Sequence, residues 1–300
     1  NSWSRMVATM SKSIAVLGIL VFVLLPMLWA ASAGKLDEKE KEALLELYGT
    51  CNGTFWKYNQ GWKTARTDPC ISTWVGVSCS QQAIQELDLG LNWLQCTEFP
   101  QSICSLKNLK LLNLRNSKIP GAIPPCITEL TSLQTLVLSA NNLRKVPNLN
   151  LMTDLTVLDL SSNRLGLQSG AINLNQLRLR NLRVLNLEHN NIRSKLPHKW
   201  SLPELRTLRL SDNRFEGTIP STWQKMRNLH YVDLVNNRLY GTIAPELSSP
   251  SLTWHLEGNR RLESAIHVGR SADTAGVARS RITPQEDIEK DAAKFHRFRR

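Results

Sequence analysis

From residue 84 onward, apolar and polar positions repeat with a period of about 24 residues. The pattern L-x-x-L-x-L-x-x-N recurs eight times, at spacings of 22 to 27 residues. The last copy is degenerate, as is typical at the end of a repeat array. The copies begin at Ile84, Leu109, Leu133, Leu155, Leu182, Leu205, Leu229 and Ser251.

The ninth position of the pattern is Asn in seven of the eight copies and Ser117 in the second copy. The alternation in Leu205-x-x-Leu208-x-Leu210 predicts a short strand whose leucines Leu208 and Leu210 point inward. A buried Asn amide can satisfy backbone groups that the next turn leaves unpaired. Because no single turn can bury its own leucines, the copies must stack, and the pattern predicts an α/β solenoid with parallel strands.

Two further motifs accompany the repeats. A glycine-containing motif follows several copies, and a D-P-C-x-x-x-W-x-G-V-x-C motif precedes the first copy, from Asp68 to Cys79. The glycine motif occurs as Ile119-Pro-Gly-Ala-Ile123-Pro124, Phe215-Glu-Gly-Thr-Ile219-Pro220 and Leu239-Tyr-Gly-Thr-Ile243.

Together these motifs resemble plant-type leucine-rich repeats with their N-terminal cap, over roughly residues 38–262. The resemblance implies a horseshoe or superhelix of about eight repeats, with a parallel concave sheet and an N-terminal helical cap. It also implies a second short strand in each repeat and a convex helical segment. The related proteins include receptor ectodomains, enzyme inhibitors and structural cell-surface proteins, so the resemblance specifies a fold more sharply than a function.

Local signals refine this picture. A helix is predicted over Glu38 to Tyr48, with Asp37 and Glu40 forming a capping box and Gly49 ending the helix. Repeat three departs from the glycine motif at Leu143-Arg-Lys-Val146-Pro147, and repeat four carries an insertion from Leu167 to Asn175. We expect these two repeats to bulge from a regular spiral.

The N-terminus predicts export from the cytosol. Arg5 and Lys12 precede an apolar run from Ile14 to Trp29, and Ala31-Ser32-Ala33 forms an A-x-A cleavage site. The sequence therefore divides into a signal peptide (1–33), a cap (34–83), leucine-rich repeats (84–262) and a non-repeat tail (263–300). The alternative is an uncleaved anchor over Ile14 to Ala33, which would be the chain's one contact with a membrane. Within the tail, Thr283 to Phe295 has the pattern of a short helix after a flexible segment.

All six cysteines lie between residues 51 and 126, which in an exported chain predicts three disulfides. Cys70 and Cys79 should pair across a compact turn that contains a tryptophan. The other four allow three pairings. Alignment of the repeats favours Cys104 with Cys126, which leaves Cys51 with Cys96. The sequon at Asn52 predicts glycosylation.

No catalytic constellation emerges from the sequence. His189 and Asp212 lie near Ser211, but a solvated polar face of a repeat protein accounts for their proximity. The sequence lacks a glycine-rich phosphate loop and metal-ligand spacing, so we expect no catalytic residues, metal or cofactor, and no enzyme. The tryptophans lie mostly in the cap and are interpreted as core.

The predicted function is extracellular protein recognition on the concave face. The candidate residues cluster in repeats five to seven, where Arg209 and Tyr231 should lie within about 10 Å of each other and face solvent. Val137 and Val157, on repeats three and four, are the uncharged control pair for alanine substitution of Arg209 and Tyr231. The candidate ligand-binding residues are Asn186, Glu188, His189, Arg209, Asp212, Tyr231 and Asp233.

Two alternatives remain open. The nine basic residues between Leu177 and Arg214 could attract a polyanion such as an acidic polysaccharide, although a solvated lateral surface is the more common meaning of such a pattern. The formal charge of +12 does not by itself indicate nucleic-acid binding, which we do not expect. A wall or coat protein that binds polysaccharide or inhibits a secreted enzyme is the first alternative, since the resemblance extends to polygalacturonase inhibitors. A structural adhesion component without a discrete site is the second.

Overall fold

The computed structural model describes residues 36–63, 67–72, 74–167, 170–200 and 202–263. The predicted signal peptide (1–33) and the predicted tail beyond residue 263 lie outside the described residues. Within the described residues, no helix has the length and apolar character that crossing a bilayer requires.

The cap begins with one helix, α1 (Glu38–Thr50), which confirms the predicted helix and extends it past Gly49. Asp37 caps α1, because its carboxylate accepts a hydrogen bond from Lys39 N at 3.0 Å. The other half of the predicted capping box is wrong. Glu40 is buried, and its Oε2 accepts from Ile84 N at 2.9 Å, so it joins the helix to the first repeat. A buried backbone N–H of a strand needs a hydrogen-bond partner within the protein, whereas an N–H at the start of an exposed helix can bond to water. The Glu40 carboxylate therefore bonds to the strand and not to its own helix terminus.

Three cap tryptophans belong to the core, as predicted, beside the first repeat. Trp56, Trp62 and Trp74 are buried, and their rings lie 4.9 to 5.1 Å apart in sequence order. Each indole N–H has an acceptor, which removes the cost of burying it. Trp93 departs from the interpretation of the tryptophans as core, because it is 61% exposed.

Eight parallel strands, one from each repeat, form the concave sheet, as predicted, and β1 adds an antiparallel ninth strand on the cap side. Leu208 and Leu210 are fully buried, which confirms the inward direction of the leucines. The order in the concave sheet is β1-β2-β3-β5-β7-β8-β9-β11-β13. The strands of this sheet are β1 (Val77–Ser80), β2 (Ala83–Asp88), β3 (Leu111–Asn113), β5 (Thr135–Val137), β7 (Val157–Asp159), β8 (Val184–Asn186), β9 (Thr207–Arg209), β11 (Tyr231–Asp233) and β13 (Thr253–His255).

Shorter strands form a second, discontinuous sheet beside the first. It is broken at repeat four, where the predicted insertion lies, and no strand of it occurs in the described residues 155–181. Repeat three keeps its second strand despite its divergent sequence, so the predicted irregularity there is limited to a register shift against repeat two. The strands are β4 (Pro120–Ala122), β6 (Asn142–Lys145), β10 (Glu216–Gly217), β12 (Arg238–Thr242) and β14 (Arg261–Glu263).

The convex side is made of short 3-10 helices rather than α-helices. Several begin at or directly after a proline, since proline fixes φ at a helical value and needs no N–H acceptor. The 3-10 helices are Gly53–Phe55 in the cap and Gln101–Ser105, Pro125–Glu129, Leu174–Gln176, Ser221–Lys225 and Pro245–Leu247 in the repeats.

The asparagine ladder is present and explains the ninth position of the repeat. Asn213 is typical: its Nδ2 donates to Leu187 O of the preceding repeat at 2.8 Å, and its Oδ1 accepts from Ile192 N at 3.0 Å. The side chain of Ser117, at the same position in repeat two, is too short to bridge to the preceding repeat as an asparagine amide does. Its hydroxyl is buried and has no hydrogen-bond partner among the described residues. The ladder therefore lacks its cross-link between repeats one and two.

The three predicted disulfides are confirmed as Cys51–Cys96, Cys70–Cys79 and Cys104–Cys126. Cys104 and Cys126 lie on the convex 3-10 helices of repeats one and two. A covalent bond thus joins the pair of repeats that the ladder leaves unlinked.

Candidate functional site

Strand register brings the predicted candidate residues together on the concave face. In repeats five to seven, Asn186, Arg209 and Asp233 occupy equivalent positions of neighbouring strands. Tyr231 pairs with Thr207 in the adjacent column. The strand register therefore aligns these residues in columns that run across the repeats.

Four side chains from four successive repeats make a continuous row, which we call the concave strip: Glu188, Arg209, Tyr231 and His255. Arg209 Nη1 lies 3.4 Å from Glu188 Oε2. The Arg209 guanidinium carbon lies 4.9 Å from the centre of the Tyr231 ring, a cation–π distance. The Tyr231 and His255 ring centres are 5.0 Å apart.

Arg209 and Tyr231 are as close as predicted, but the prediction that Arg209 faces solvent is wrong. Arg209 is 6% exposed, whereas Tyr231 is half-buried. Arg209 is buried because the sheet is curved, and on its concave side the side chains of neighbouring strands converge. Glu188 and Tyr231 lie on either side of the guanidinium. Arg209 therefore holds its neighbours in place more than it presents a free charge.

A second row, the rim, follows the eighth position of the repeat: His189, Asp212, Asn236 and Gly258. His189 Nδ1 lies 3.3 Å from Asp212 Oδ2, and Asn236 Nδ2 donates to Asp212 Oδ1 at 2.8 Å. A Cβ on Gly258 would lie 2.2 Å from Asn236 Oδ1, so the backbone of repeat eight lies close against the Asn236 side chain. Contacts thus run unbroken along the rim from repeat five to repeat eight.

The rim has a backbone signature that explains its composition. The eighth position has positive φ in every repeat, a region that Asn, Asp and Gly tolerate better than other residues. The rim side chains are consequently short or polar and stand where the chain turns away from the strand. The residues with this conformation are Leu91, Asn116, Ala140, Ser162, His189, Asp212, Asn236 and Gly258.

Two predicted candidates support the turn that ends each strand. Asn186 Oδ1 accepts from Glu188 N, and Asp233 Oδ1 accepts from Val235 N, each at 3.1 Å. Asn186 is 5% exposed, whereas Asp233 is half-buried. Asn186 therefore positions Glu188, and Asp233 also leaves a carboxylate on the concave surface.

Burial dominates the electrostatics of the strip. It raises the pKa of Glu188, and the nearby Asp233 charge adds to this, while Arg209 and His189 oppose it. Burial likewise raises the pKa of Tyr231, with Arg209 acting in the opposite direction. Both shifts have the sign expected for acids taken partly out of water.

Sequence reasoning missed His255 and Asn236 as members of this site. Both occupy repeat positions that the candidates already use, one repeat further along: His255 follows Asp233 in its column, and Asn236 follows Asp212 at the eighth position. Extending the candidate set by one repeat at each position would have included them.

The nine basic residues between Leu177 and Arg214 do not share one face. Arg209 lies on the concave strip, whereas the Arg178 guanidinium donates to the convex carbonyls of Asn175 and Leu177. Arg193 lies 3.9 Å from Glu216, beside the second sheet. The excess of positive charge seen in the sequence is therefore divided among several surfaces.

The Ser211, His189 and Asp212 grouping has no hydrolase geometry. Ser211 is buried, and its backbone carbonyl accepts from His189 N at 3.1 Å. Across the described residues, no group of three or more His, Cys, Asp or Glu side chains is placed to hold a metal ion. The arrangement suits recognition by charge, hydrogen bonds and aromatic contact.

Comparison with known proteins places this geometry in a wider group. The leucine rich repeat family model matches residues 180–239, which include most of the strip and rim. The chain is 36% identical to Receptor-like protein 35 of Arabidopsis thaliana over 153 residues, or 50% of this chain and 16% of that protein. It is 31% identical to Receptor-like protein EIX1 of Solanum lycopersicum over 180 residues, or 57% of this chain and 17% of that protein. The chain thus spans less than a fifth of the length of these relatives.

Among solved structures, a plant ice-binding protein is similar, with a TM-score of 0.63 and 26% identity. That similarity covers 77% of this chain and 73% of the other. The ectodomain of the Arabidopsis receptor kinase HAESA, solved with a peptide hormone, has a TM-score of 0.56 at 21% identity. It covers 76% of this chain and 42% of that ectodomain, and supports the solenoid fold alone.

Proposed function

Because this chain is a leucine-rich-repeat protein of the plant type, we propose that it binds a protein or peptide ligand outside the cytosol. The ligand lies on the concave face of repeats five to eight. Three disulfides support an oxidising, extracellular compartment. Asn52 is exposed in the loop after α1, which supports glycosylation at that sequon.

The observation that carries this proposal is the concave strip. Binding is tighter when the contacting side chains are already ordered in the free protein, because no conformational entropy is then lost in ordering them. Arg209 is fixed between Glu188 and Tyr231, and Tyr231 rests against His255. Tyr and Arg are also the residue types enriched where interface energy concentrates.

The rim supplies the polar border that such an interface requires. His189 is exposed, and Asp212 is partly exposed while engaged with His189 and Asn236. A half-buried aromatic centre beside exposed, hydrogen-bonding side chains is the usual anatomy of a protein interface.

Peptides selected from a displayed random library against the full chain provide the test. A selected peptide that uses the strip should bind Tyr231→Ala about 30-fold more weakly, a loss of roughly 2 kcal/mol. Tyr231 is half-buried on the surface, so this variant should fold normally. Thermal unfolding of each variant checks that its binding loss is not a folding loss. Arg209→Gln should weaken binding as well, but with some loss of stability, because Arg209 is buried.

The matched control is Glu86→Ala with Arg115→Ala, two half-buried charged residues of repeats one and two. Val137 and Val157 are less suitable, since they are 6% and 1% exposed and help close the sheet surface. Equal losses in the strip and control variants would indicate a diffuse adhesive surface. No loss in either would move the site to an edge or to the cap. Both results would contradict the proposal.

The activity named for the ice-binding protein is not favoured on the concave face of this chain. A crystal surface repeats in space, so a matching protein face needs the same side chain at each repeat. Here one column runs Val184, Thr207, Tyr231 and Thr253 across neighbouring strands. A column that changes at every step fits an irregular ligand such as a protein.

A further inference from the structure

The end of the second sheet contains a groove of about 470 Å³ that shares Gly258 with the rim but none of the residues of the concave strip. It is formed by β12, β14 and the turn of repeat eight, with Glu216 of β10 at its side. A volume of this size falls within the range of small-molecule and sugar-sized sites. The groove is lined by Glu216, Asn237, Arg238, Leu239, Tyr240, Gly258, Arg260 and Arg261.

Three exposed arginines give the groove its charge: Arg238, Arg260 and Arg261. Across the described part of the chain, no carboxylate forms an ion pair with any of them. Glu216, the acidic lining residue, lies 3.9 Å from Arg193 and is partly neutralised by it. The groove therefore has a net positive charge that a bound anion would compensate. A guanidinium also offers paired donors that match a carboxylate or sulfate.

One aromatic ring lies beside these charges. Strand alternation places Arg238 and Tyr240 on the same side of β12, while Leu239 between them is fully buried. Tyr240 is 46% exposed and pairs in register with Arg261 of β14. Tyr240 is thus the neighbour of Arg238 along its own strand and of Arg261 on the next strand, and all three line the groove.

We infer that this groove binds an anionic pyranose, that is, a sugar ring that carries a carboxylate or sulfate, from an extracellular polysaccharide. The anion pairs with the arginines, and the apolar face of the sugar ring packs on Tyr240. A simple anion would need the arginines alone, and a neutral sugar would need the ring alone. The combination of arginines and ring selects a ligand with both features.

Binding of short oligogalacturonate to the full chain tests the inference by titration calorimetry at low and high salt. Its fully methyl-esterified form keeps the sugar ring and loses the charge. We expect the acidic form to bind at least about tenfold more tightly than the ester, because charged hydrogen bonds are lost in the ester. A sulfated galactan identifies which anion the groove prefers. Equal binding of acid and ester would overturn the inference.

The decisive variant is Arg238→Gln with Arg260→Gln and Arg261→Gln. Its matched control is Lys118→Gln with Arg144→Gln and Arg164→Gln, three exposed residues of repeats two to four with the same total charge. The groove variant should lose about tenfold or more in affinity, and the control should stay within about twofold. Equal losses would show that binding follows overall charge, which would overturn the inference.

Tyr240→Ala separates a sugar site from an anion site. It should weaken oligogalacturonate about fivefold and leave polyglutamate binding unchanged, because polyglutamate offers no ring to pack on Tyr240. An unchanged affinity for oligogalacturonate, or tighter binding of a single-stranded oligonucleotide than of the sugar, would reject the pyranose. Tyr231→Ala on the concave strip should keep full oligogalacturonate binding, so the two sites can fail independently.

Discussion

Repeats two to four and repeats five to eight share one strand register, and all of them except repeat two turn at a buried asparagine, but their concave surfaces differ. In the earlier repeats, the column of Leu111, Thr135 and Val157 is uncharged and at most 3% exposed, and Asp159 in the adjacent column is buried as well. In the later repeats, Tyr231 and His255 occupy the outward positions and remain half-buried. The inward leucines fix the backbone in both halves, so the outward positions are free to change from sealing residues to recognition residues.

The two halves also differ in how they are held together. All six cysteines lie before residue 127, in the cap and the first two repeats. The later repeats depend on leucine packing and on the asparagine ladder. The recognition surface therefore stands on the part of the solenoid without disulfides.

The largest expected effect on stability concerns the N-terminal half, which contains the disulfides. Cys104→Ser with Cys126→Ser removes a bond between residues 22 apart, and chain entropy predicts a loss of about 3 kcal/mol in the free energy of unfolding. Denaturant unfolding under non-reducing conditions measures this loss. An unchanged midpoint would mean that repeats one and two do not depend on the disulfide.

A smaller effect is expected from the ladder, and it should be the same in both halves. Asn141→Ala and Asn213→Ala each leave buried backbone groups unpaired, which costs roughly 1–3 kcal/mol. Ser117→Ala is the matched control, because the Ser117 hydroxyl has no hydrogen-bond partner among the described residues. A much larger loss at Asn213 than at Asn141 would show that the disulfides also stabilise repeats beyond the second.

The smallest effect is a pH dependence confined to the later half. Burial raises the pKa of Glu188 above its ordinary value of 4.5, so the folded state binds a proton more readily than the unfolded chain does. Stability is then higher below that ordinary value and falls as pH rises through the raised pKa. Glu188→Gln should remove this fall, as measured by thermal unfolding between pH 4 and pH 7 (about the range in which glutamates titrate). The same fall in the variant would assign it to another group.

Repetition made most of the fold predictable. Leu208 and Leu210 had to point inward because their spacing matches a strand, and the position of Asn213 follows from the needs of the turn. The burial of Arg209 could not be predicted, because it depends on how closely a curved sheet brings Glu188 and Tyr231 together. The orientation of the Glu40 side chain could not be predicted either, since its hydrogen-bond partner Ile84 lies 44 residues away in the chain.

Repetition of the sequence pattern also made part of the candidate site predictable. The sequence places Glu188, Arg209 and Tyr231 in one candidate cluster in repeats five to seven. The pattern did not distinguish a side chain that supports a turn, such as Asn186, from one that remains half-buried on the surface, such as Tyr231. That distinction depends on hydrogen bonds between positions two residues apart, which hydrophobic periodicity does not encode.

The missing ladder link at Ser117 has a mechanical consequence. Under tension along its axis, a stack of repeats would open at whichever junction yields first, and each junction in the later half is held by noncovalent contacts alone. The Cys104–Cys126 bond prevents repeats one and two from separating, although their ladder contact is absent. A pulling force should therefore unwind the chain from its C-terminal end and release the strip before the cap. In single-molecule stretching, the cap and the first two repeats should extend last, and only after a reductant has cut the disulfides.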